Sequence, residues 1–330
     1  MEETRMNNII KNRSEILFLY DIKDANPNGD PLDENKPRID EETRINIVTD
    51  VRLKRTIRDY LMNFMGKEIF VKEITKEDGT IQDAKERAED FLDKKRLQER
   101  DFNEQKEEIK RDVLQKCIDI RLFGATIPLD ISVKKGSKVE NVTGSITLTG
   151  PVQFRMGRSL HKVELKHIKG TGAFAAGKGA TQKTFREEDI LPYSLISFYG
   201  IVNENAAQHT QLTEEDILLF LEGIWNGTKN LISRSKAGQM PRLLLKVNFK
   251  EDNYHIGDLD KLLRIKNIDN IQQEKIRDIS EIELDTSDLV NSLNKNKEMI
   301  ENIDLIMDER VRINWEGLDT SIKINSISFN

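Results

Sequence analysis

Three patterns predict an α+β fold with the strand and helix order of ferredoxin-like, RNA-recognition domains. Glu15 to Ile22 is an almost unbroken apolar run, which reads as a strand covered on both faces. Val48 to Met65 places Val48, Val51, Leu53, Ile57, Tyr60, Leu61 and Phe64 at helical spacing, with Thr49 as cap and Gly66 as stop. With the polar insertions removed, the elements follow as strand, helix, strand, strand, helix, strand.

Between the first strand and helix stands Asp24-Ala25-Asn26-Pro27-Asn28-Gly29-Asp30-Pro31, a turn stiffened by proline and by side-chain-to-backbone bonding. Lys67 to about Gln115 is dominated by Lys, Glu, Asp and Arg, with sparse apolar positions such as Phe91, Leu92, Leu97, Ile109 and Val113, and reads as a mobile polar helical insertion. Val142 to Met156 partly alternates and reads as one long strand interrupted at Gly150-Pro151. Gly157 to Asp189 holds Gly170, Gly172, Gly177 and Gly179 between lysines and threonines, the composition of a flexible projecting loop. Strand character returns from Ile190 to Val202. A helix then opens at Thr213-Glu214-Glu215-Asp216 with a cap and acids in its first turn. Ser233 to Pro241 is a basic turn that leads into the strand Leu243 to Phe249. Residues 250 to 330 add polar helical segments and a last strand-like pattern at Ile322, Ile324, Ile327 and Phe329.

The 330 residues carry 33% charged and 37% apolar side chains, a soluble-globular balance with room for about two domains. No run reaches the roughly 18 apolar residues of a bilayer span, and the opening MEETRMNNIIKNR has no apolar signal-peptide core, so a cytoplasmic location and no membrane partner are expected. One cysteine, Cys117, excludes an internal disulfide and a Cys-cluster zinc site and reads as a buried thiol.

The net charge of −6 argues against indiscriminate nucleic-acid coating, but its distribution is uneven. Residues 151 to 183 hold Arg155, Arg158, Lys162, Lys166, Lys169, Lys178 and Lys183 with His161 and His167 against Glu164 alone, and residues 44 to 58 hold Arg44, Arg52, Lys54, Arg55 and Arg58 against Asp50. Two basic tracts in an acidic protein point to a directed polyanion site.

Other motifs are weaker. Asp24, Asn26, Asn28 and Gly29 match half of an EF-hand loop, but Asn35 stands where the bidentate Glu belongs and a strand precedes it. Gly172 to Gly179 nearly spells a P-loop without its Ser/Thr, and Gly170 to Ala175 echoes a dinucleotide fingerprint without a βαβ unit. A basic loop lying along a nucleic-acid backbone explains the same residues. The histidines show no metal-ligand spacing; His161 or His167 as a general base competes with both as polar members of the loop. Asp24 and Asp30 read as turn stabilisers, with a magnesium pair as the alternative.

Asn26-Pro27-Asn28-Gly29-Asp30-Pro31, Pro37-Arg38-Ile39-Asp40, Val48-Thr49-Asp50-Val51-Arg52-Leu53-Lys54-Arg55, Asp119-Ile120-Arg121-Leu122-Phe123-Gly124-Ala125 and Gly150-Pro151-Val152-Gln153 together resemble the Cas7 family of the RAMP superfamily, the backbone subunits of type I CRISPR surveillance complexes, with subtype I-B preferred over I-C. The likeness covers about residues 14 to 250. It implies a non-catalytic, cofactor-free hand: a ferredoxin-like palm (residues 1–66, 141–156 and 190–250), a helical finger insertion (67–140), a flexible thumb (157–189) and a C-terminal extension on the palm (251–330). It further implies copies stacked head to tail along CRISPR RNA, contact with other Cascade subunits, and pairing of the guide with target DNA. Such a subunit grips phosphate and ribose and ignores base edges. The expected contacts are Asn28 at the turn; Arg44, Arg52, Lys54, Arg55 and Arg58; Gln153, Arg155, Arg158 and Ser159; Arg234, Ser235 and Lys236; and thumb residues Lys166, Lys169, Thr171 and Lys178. Two rival readings stay open, a metal-dependent ribonuclease using Asp24 or Asp30 and a nucleotide-binding switch using the Gly170 to Gly179 loop.

Overall fold

The computed structural model describes residues 8–92, 101–135, 138–175 and 183–329. Its strands in chain order are β1 (Ser14–Ala25), β2 (Gly29–Asp30), β3 (Lys36–Pro37), β4 (Ile45–Val48), β5 (Gly124–Lys135), β6 (Lys138–Thr149), β7 (Val152–Phe154), β8 (Gly157–Lys162), β9 (Lys166–Ala175), β10 (Lys183–Val202), β11 (Met240–Phe249), β12 (Arg264–Ile265), β13 (Glu283–Asp285), β14 (Ile300–Met307), β15 (Arg312–Ile313) and β16 (Ile324–Ser326). The helices are α1 (Asp50–Asn63), α2 (Ala84–Glu89), α3 (Phe102–Lys116), α4 (Ile118–Phe123), α5 (Glu204–Thr210), α6 (Glu214–Lys229) and α7 (Ser287–Lys295). They belong to two compact units: one takes the N-terminal residues up to Arg13, Ile57–Gln153 and Val202–Gly223, the other Ser14–Thr56, Phe154–Ile201 and Ile224–Asn330.

The second unit is built on a sheet ordered β16-β14-β11-β1-β10-β8-β4, with β9 pairing β10 off that path. The apolar run of β1 takes the interior position expected of it, between β11 and β10. It runs antiparallel to β11 from Ser14↔Asn248 to Leu19↔Leu243. One core cluster joins Leu17 and Leu19 of β1, Tyr193 and Leu195 of β10 and Leu243, Leu245 and Val247 of β11 to C-terminal residues that include Leu259, Leu263, Leu289, Leu293 and Ile303. Residues beyond 250 therefore do more than cover the sheet. β14 extends it along β11, and β16 adds a parallel edge from Ile303↔Ile324.

The caps act as read, while two positions of the helical spacing do not join the core: Val51 is exposed, and so is Phe64, which lies just past the helix. Thr49 Oγ1 accepts the Arg52 N–H at 3.3 Å, capping α1, and Leu53, Ile57, Tyr60 and Leu61 are its buried apolar residues. Before α6, Thr213 Oγ1 accepts the Asp216 N–H at 3.2 Å while Asp216 accepts the Thr213 N–H at 3.3 Å, a reciprocal box.

Four expectations are corrected. Val142 to Met156 breaks at Gly150-Pro151 as expected, but its halves belong to different sheets: β7 pairs β10, whereas β6 ends at Thr149 and forms a separate two-stranded ladder with β5, from Gly124↔Thr149 to Lys135↔Lys138. Gly124 permits that closure, since its φ is +65° and a Cβ would meet the Leu148 carbonyl oxygen at 2.1 Å. The insertion is consequently part strand. It also owns a core, in which Phe70, Phe91, Ile109, Val113, Ile127, Leu129, Ile131 and Ile146 are buried, so sparse apolar positions spaced across several elements were enough. Gly157 to Asp189 is not a loop over its described part: β8 is a sheet strand, and β9 pairs with β10 from Ile190↔Lys166 to Lys183↔Ala175. Glycine and lysine content hid a ladder carried by backbone bonds. Finally, the Gly170 to Ala175 fingerprint lies in that ladder, Gly170 opposite Arg186, and so does not form the tight phosphate turn such a motif needs.

Asp119-Ile120-Arg121-Leu122-Phe123-Gly124-Ala125 is a structural node of the first unit. The fully buried Asp119 accepts Arg58 Nε at 3.0 Å and the backbone N–H groups of Phe70 at 2.8 Å and Val71 at 3.1 Å. Arg121 clasps Asp216 through two bonds of 2.8 and 2.7 Å and donates to the Leu114 carbonyl at 2.9 Å. Truncating one member of such a buried pair strands its partner's charge, at about 3 to 5 kcal/mol. We therefore expect Asp119→Ala to lower the thermal midpoint and the denaturant resistance of the full chain by that amount. A change within about 0.5 kcal/mol, the range of an ordinary surface substitution, would refute the node.

Candidate nucleic-acid interface

At the end of β1 the chain enters the octapeptide turn, whose polar groups are turned inward to tie three segments together. Asn28 Oδ1 accepts both the backbone N–H and the hydroxyl of Thr49, each at 2.8 Å, so the turn grips the residue that caps α1. The Asn26 N–H donates to the Ser235 carbonyl at 2.8 Å, and Lys236 Nζ donates to the Asn26 carbonyl at 3.1 Å. Asn26 Nδ2 reaches the Asn35 carbonyl at 2.7 Å, closing the small β2–β3 hairpin. Asp30 takes Arg38 at 2.7 Å and the Leu32 N–H at 3.0 Å, which is turn-stabilising work.

This bonding places the start of α1, the turn and the Ser233 to Pro241 segment side by side, and cations meet there. The Lys236 ammonium is held below the ordinary lysine pKa, first by burial and then by the charge of Arg52. Arg52 itself donates to Thr56 Oγ1 at 3.0 Å, which sets its guanidinium along the helix. Tyr20 is buried, and its hydroxyl is pushed well above the usual tyrosine range by that burial, with Arg52 opposing. The N-terminus of α1 adds partial positive charge from the helix dipole. Two side-chain cations crowded beside a helix start repel each other in the free protein, and an anion placed among them relieves that repulsion.

The other expected contacts divide by environment. Arg55 and Arg44 are exposed, Arg44 in the left-handed region at φ +61°. Lys54 pairs with Asp50 at 3.0 Å. Arg155 is half exposed, stacks 4.7 Å over Tyr199 and pairs with Asp258. Arg158 stands 3.8 Å from Asp40, Lys166 3.8 Å from Glu164, Lys169 3.0 Å from Glu187 and Arg234 3.3 Å from Glu188, all well exposed. Gln153 donates to the Gly150 carbonyl at 2.9 Å. The Ser235 carbonyl is the acceptor for Asn26 noted above. Thr171 lies opposite Phe185 in the β9–β10 ladder, while Lys178 falls outside the described residues.

Three residues expected at the interface are structural instead. Arg58 is spent on Asp119 and lies 5.1 Å over the Phe123 ring. Ser159 is buried, accepting the Asn46 N–H at 2.9 Å and donating to the His161 carbonyl at 2.7 Å. Asn28 positions rather than presents, because its carboxamide oxygen is used by Thr49. His161 is no general base: it is buried, holds the Lys162 carbonyl at 2.8 Å through Nδ1 and the Leu195 N–H at 3.3 Å through Nε2, and burial pushes its pKa down. His167 is exposed and bonded to Asp189 at 3.1 Å. Cys117 is buried as expected, its thiol pushed up to about 12 by desolvation. Arg38, the first cation after the turn in sequence, sits beside Asp30 with its N–H 3.3 Å from the Asn28 carbonyl, a place set by the hairpin register.

A family model described as CRISPR-associated protein Cas7 matches residues 12–287. A CRISPR-associated protein Cas7 from Haloferax volcanii is 33% identical over 310 residues, covering 92% of this chain and 88% of its own. Among solved structures, a chain of a CRISPR RNA-guided surveillance complex, pre-nicking, superposes with a TM-score of 0.55 at 12% identity, covering 96% of both chains. A chain of a second CRISPR RNA-guided surveillance complex gives 0.52 at 10% identity, covering 96% of this chain and 95% of that one. At those identities the two likenesses concern the fold.

The crowded lysine gives a signed pH test. Because the folded-state pKa of Lys236 lies below its unfolded value, the unfolded chain holds the extra proton between the two, and stability from this group rises with pH across that window. The cost is fully present below the folded-state pKa and gone above 10.5. Lys236→Met should therefore raise the thermal midpoint at neutral pH relative to its advantage at alkaline pH. Thermal melts of both proteins along a pH series check this, and parallel profiles would refute it.

Proposed function

Because this chain belongs to the CRISPR-associated Cas7 family, we propose that it is the guide-RNA-binding backbone subunit of a type I surveillance complex. Copies polymerise head to tail along CRISPR RNA and present it for pairing with target DNA beside the other Cascade subunits. The observation that carries the reading is the convergence of turn, helix start and basic segment on Arg52 and Lys236. Point charges and backbone donors suit phosphate, the part of a guide that is the same for every spacer.

Within that reading the second unit's sheet is the palm. Its order β11-β1-β10-β8 is what a ferredoxin-like strand, helix, strand, strand, helix, strand chain produces, and this supports the finer assignment. The thumb is then the paired β9 and β10 off the main strand order, with Lys166, Lys169 and Thr171 on β9, while Lys178, also expected there, lies outside the described residues. Residues 67–140 belong to the finger. Guide contacts are Arg52 and Lys236 first, then Arg44, Lys54, Arg55, Gln153, Arg155, Arg158, Arg234 and Ser235 along the same strand. The subunit is non-catalytic and cytoplasmic, and subtype I-B is the preferred branch. No helix among the described residues is long and apolar enough to cross a membrane.

The protein purified from its host should carry RNA, visible as a high 260-to-280 absorbance ratio, and sequencing should return CRISPR-repeat fragments. Charge reversal of Arg52 and Lys236 together should weaken guide binding equally for unrelated spacers. It should also reduce the slope of log affinity against log salt by about 1.4, two contacts at roughly 0.7 each on a single strand. A spacer-dependent loss, or none at physiological salt, would overturn the assignment.

A further inference from the structure

Arg155, just after β7, meets its acidic partner at a place fixed by a buried carboxylate of β1. Glu15 is fully buried and accepts the Tyr199 hydroxyl together with the backbone N–H groups of Ile256 and Gly257, each of these two at 2.7 Å. Tyr199 is the ring over which the Arg155 guanidinium stacks at 4.7 Å, and its carbonyl accepts the Arg155 N–H at 2.9 Å. Gly257 and Asp258 both take positive φ, +88° and +55°, which turns the chain sharply ahead of the short 3-10 helix Leu259–Leu262. The Asp258 carboxylate then bridges two cations, Arg155 through Oδ1 and Lys261 through Oδ2 at 2.8 Å. Both cations are more than half exposed, so a ligand can reach them from solvent. Asp260 also stands 4.0 Å from Arg155, but burial pushes its pKa up, whereas Lys261 and then Arg155 hold that of Asp258 down.

We propose that Asp258 is an internal phosphate mimic: in the guide-free chain it occupies an anion site made by Arg155 and Lys261, and one phosphate of a bound strand displaces it. That the strand is the guide rests on the function proposed above; the anion chemistry of the site does not. Two acceptor oxygens, one on a guanidinium and one on an ammonium, are what a phosphate would present to the same pair. Asp258 differs from a chance surface pair in its backbone, which is pinned through Ile256 and Gly257 to the carboxylate that also holds the ring beneath Arg155. The acid is therefore delivered to the arginine. A competitor of this kind weakens stray RNA held by a single copy, whereas a guide held by a row of copies keeps its avidity. It also exchanges one anion for another, so the contact adds little to the salt dependence while Asp258 is present.

The test uses the full-length chain purified from cells that make no CRISPR RNA, titrated with guide RNAs of two unrelated spacers. Asp258→Asn keeps the side-chain shape and the tolerance for positive φ, so the thermal midpoint should stay at the wild-type value. Guide affinity should rise about threefold for both spacers, the effect of one exposed ion pair. The slope of log affinity against log salt should steepen by about 0.7, one more charge on a single strand. In the Arg155→Gln/Lys261→Gln background the same substitution should change neither. Glu301→Gln, which removes an exposed acid of β14, controls for net charge and should match the wild type. A missing gain, a gain that survives in the Arg155→Gln/Lys261→Gln background, or an equal gain from Glu301→Gln would overturn the mimicry and leave the proposed function standing. If the wild-type chain binds neither guide, the proposed function fails instead, and inorganic phosphate decides. It should then raise the thermal midpoint of Asp258→Asn above that of the wild type, and equal midpoints would overturn the anion site.

Discussion

Everything the candidate interface can do depends on where Asn28 spends its carboxamide oxygen. By accepting both the N–H and the hydroxyl of Thr49, it fixes the turn that leaves β1 against the residue just before α1. Thr49 in turn caps the helix through Arg52 N–H, so one oxygen sets the approach of the turn, the cap and the guanidinium that follows. The Ser233 to Pro241 segment is anchored to the same turn by two bonds to the Asn26 backbone. A polar side chain in a turn is most often described as a ligand in waiting. Here its value is that it is already used, and the cations it positions are the groups with charge to offer.

That arrangement has an energetic cost that explains its chemistry. Lys236 is half-buried beside Arg52, which disfavours its charged form on two counts. The bond from its ammonium to the Asn26 carbonyl offsets part of that cost. On the function proposed above, a phosphate placed between the two cations would turn their mutual repulsion into two attractions in a partly desolvated setting. The exposed cations differ. Arg158, Lys166, Lys169 and Arg234 each have a carboxylate within 4.0 Å, and surface pairs of that kind are weak enough for a phosphate to displace.

Much of this was legible in the sequence, for reasons that differ by element. β1 was readable because a strand buried on both faces cannot hide an apolar run, and α1 and α6 because their caps are local chemistry. The proximity of turn and helix start was readable as order along the chain. The β5–β6 ladder and the β9–β10 hairpin were not, since their pairing is carried by backbone groups that every residue possesses, and glycine and lysine content masked them. The insertion's core was missed because its apolar residues come from five elements, each contributing only a few.

Counting charges was the least reliable step, and the reason is physical. The tract from Arg44 to Arg58 reads as five cations, yet Arg58 is neutralised by a buried carboxylate 61 positions away and Lys54 by Asp50 one turn back. Arginine is the residue suited to that fate, because its planar fork satisfies buried carboxylates and carbonyls together, as Arg121 does with Asp216 and Leu114. A basic tract rich in arginine is therefore ambiguous between a ligand surface and a set of internal clasps, and its sequence cannot say which. Lys236 shares the ambiguity in a milder form, since its ammonium clasps a neutral backbone carbonyl, Asn26 at 3.1 Å, rather than a carboxylate and keeps its charge uncompensated by that bond. The charge left beside Arg52 by that arrangement is set by two neighbours that no reading of the local sequence brings together, residue 52 on the helix and residue 236 in a turn far along the chain.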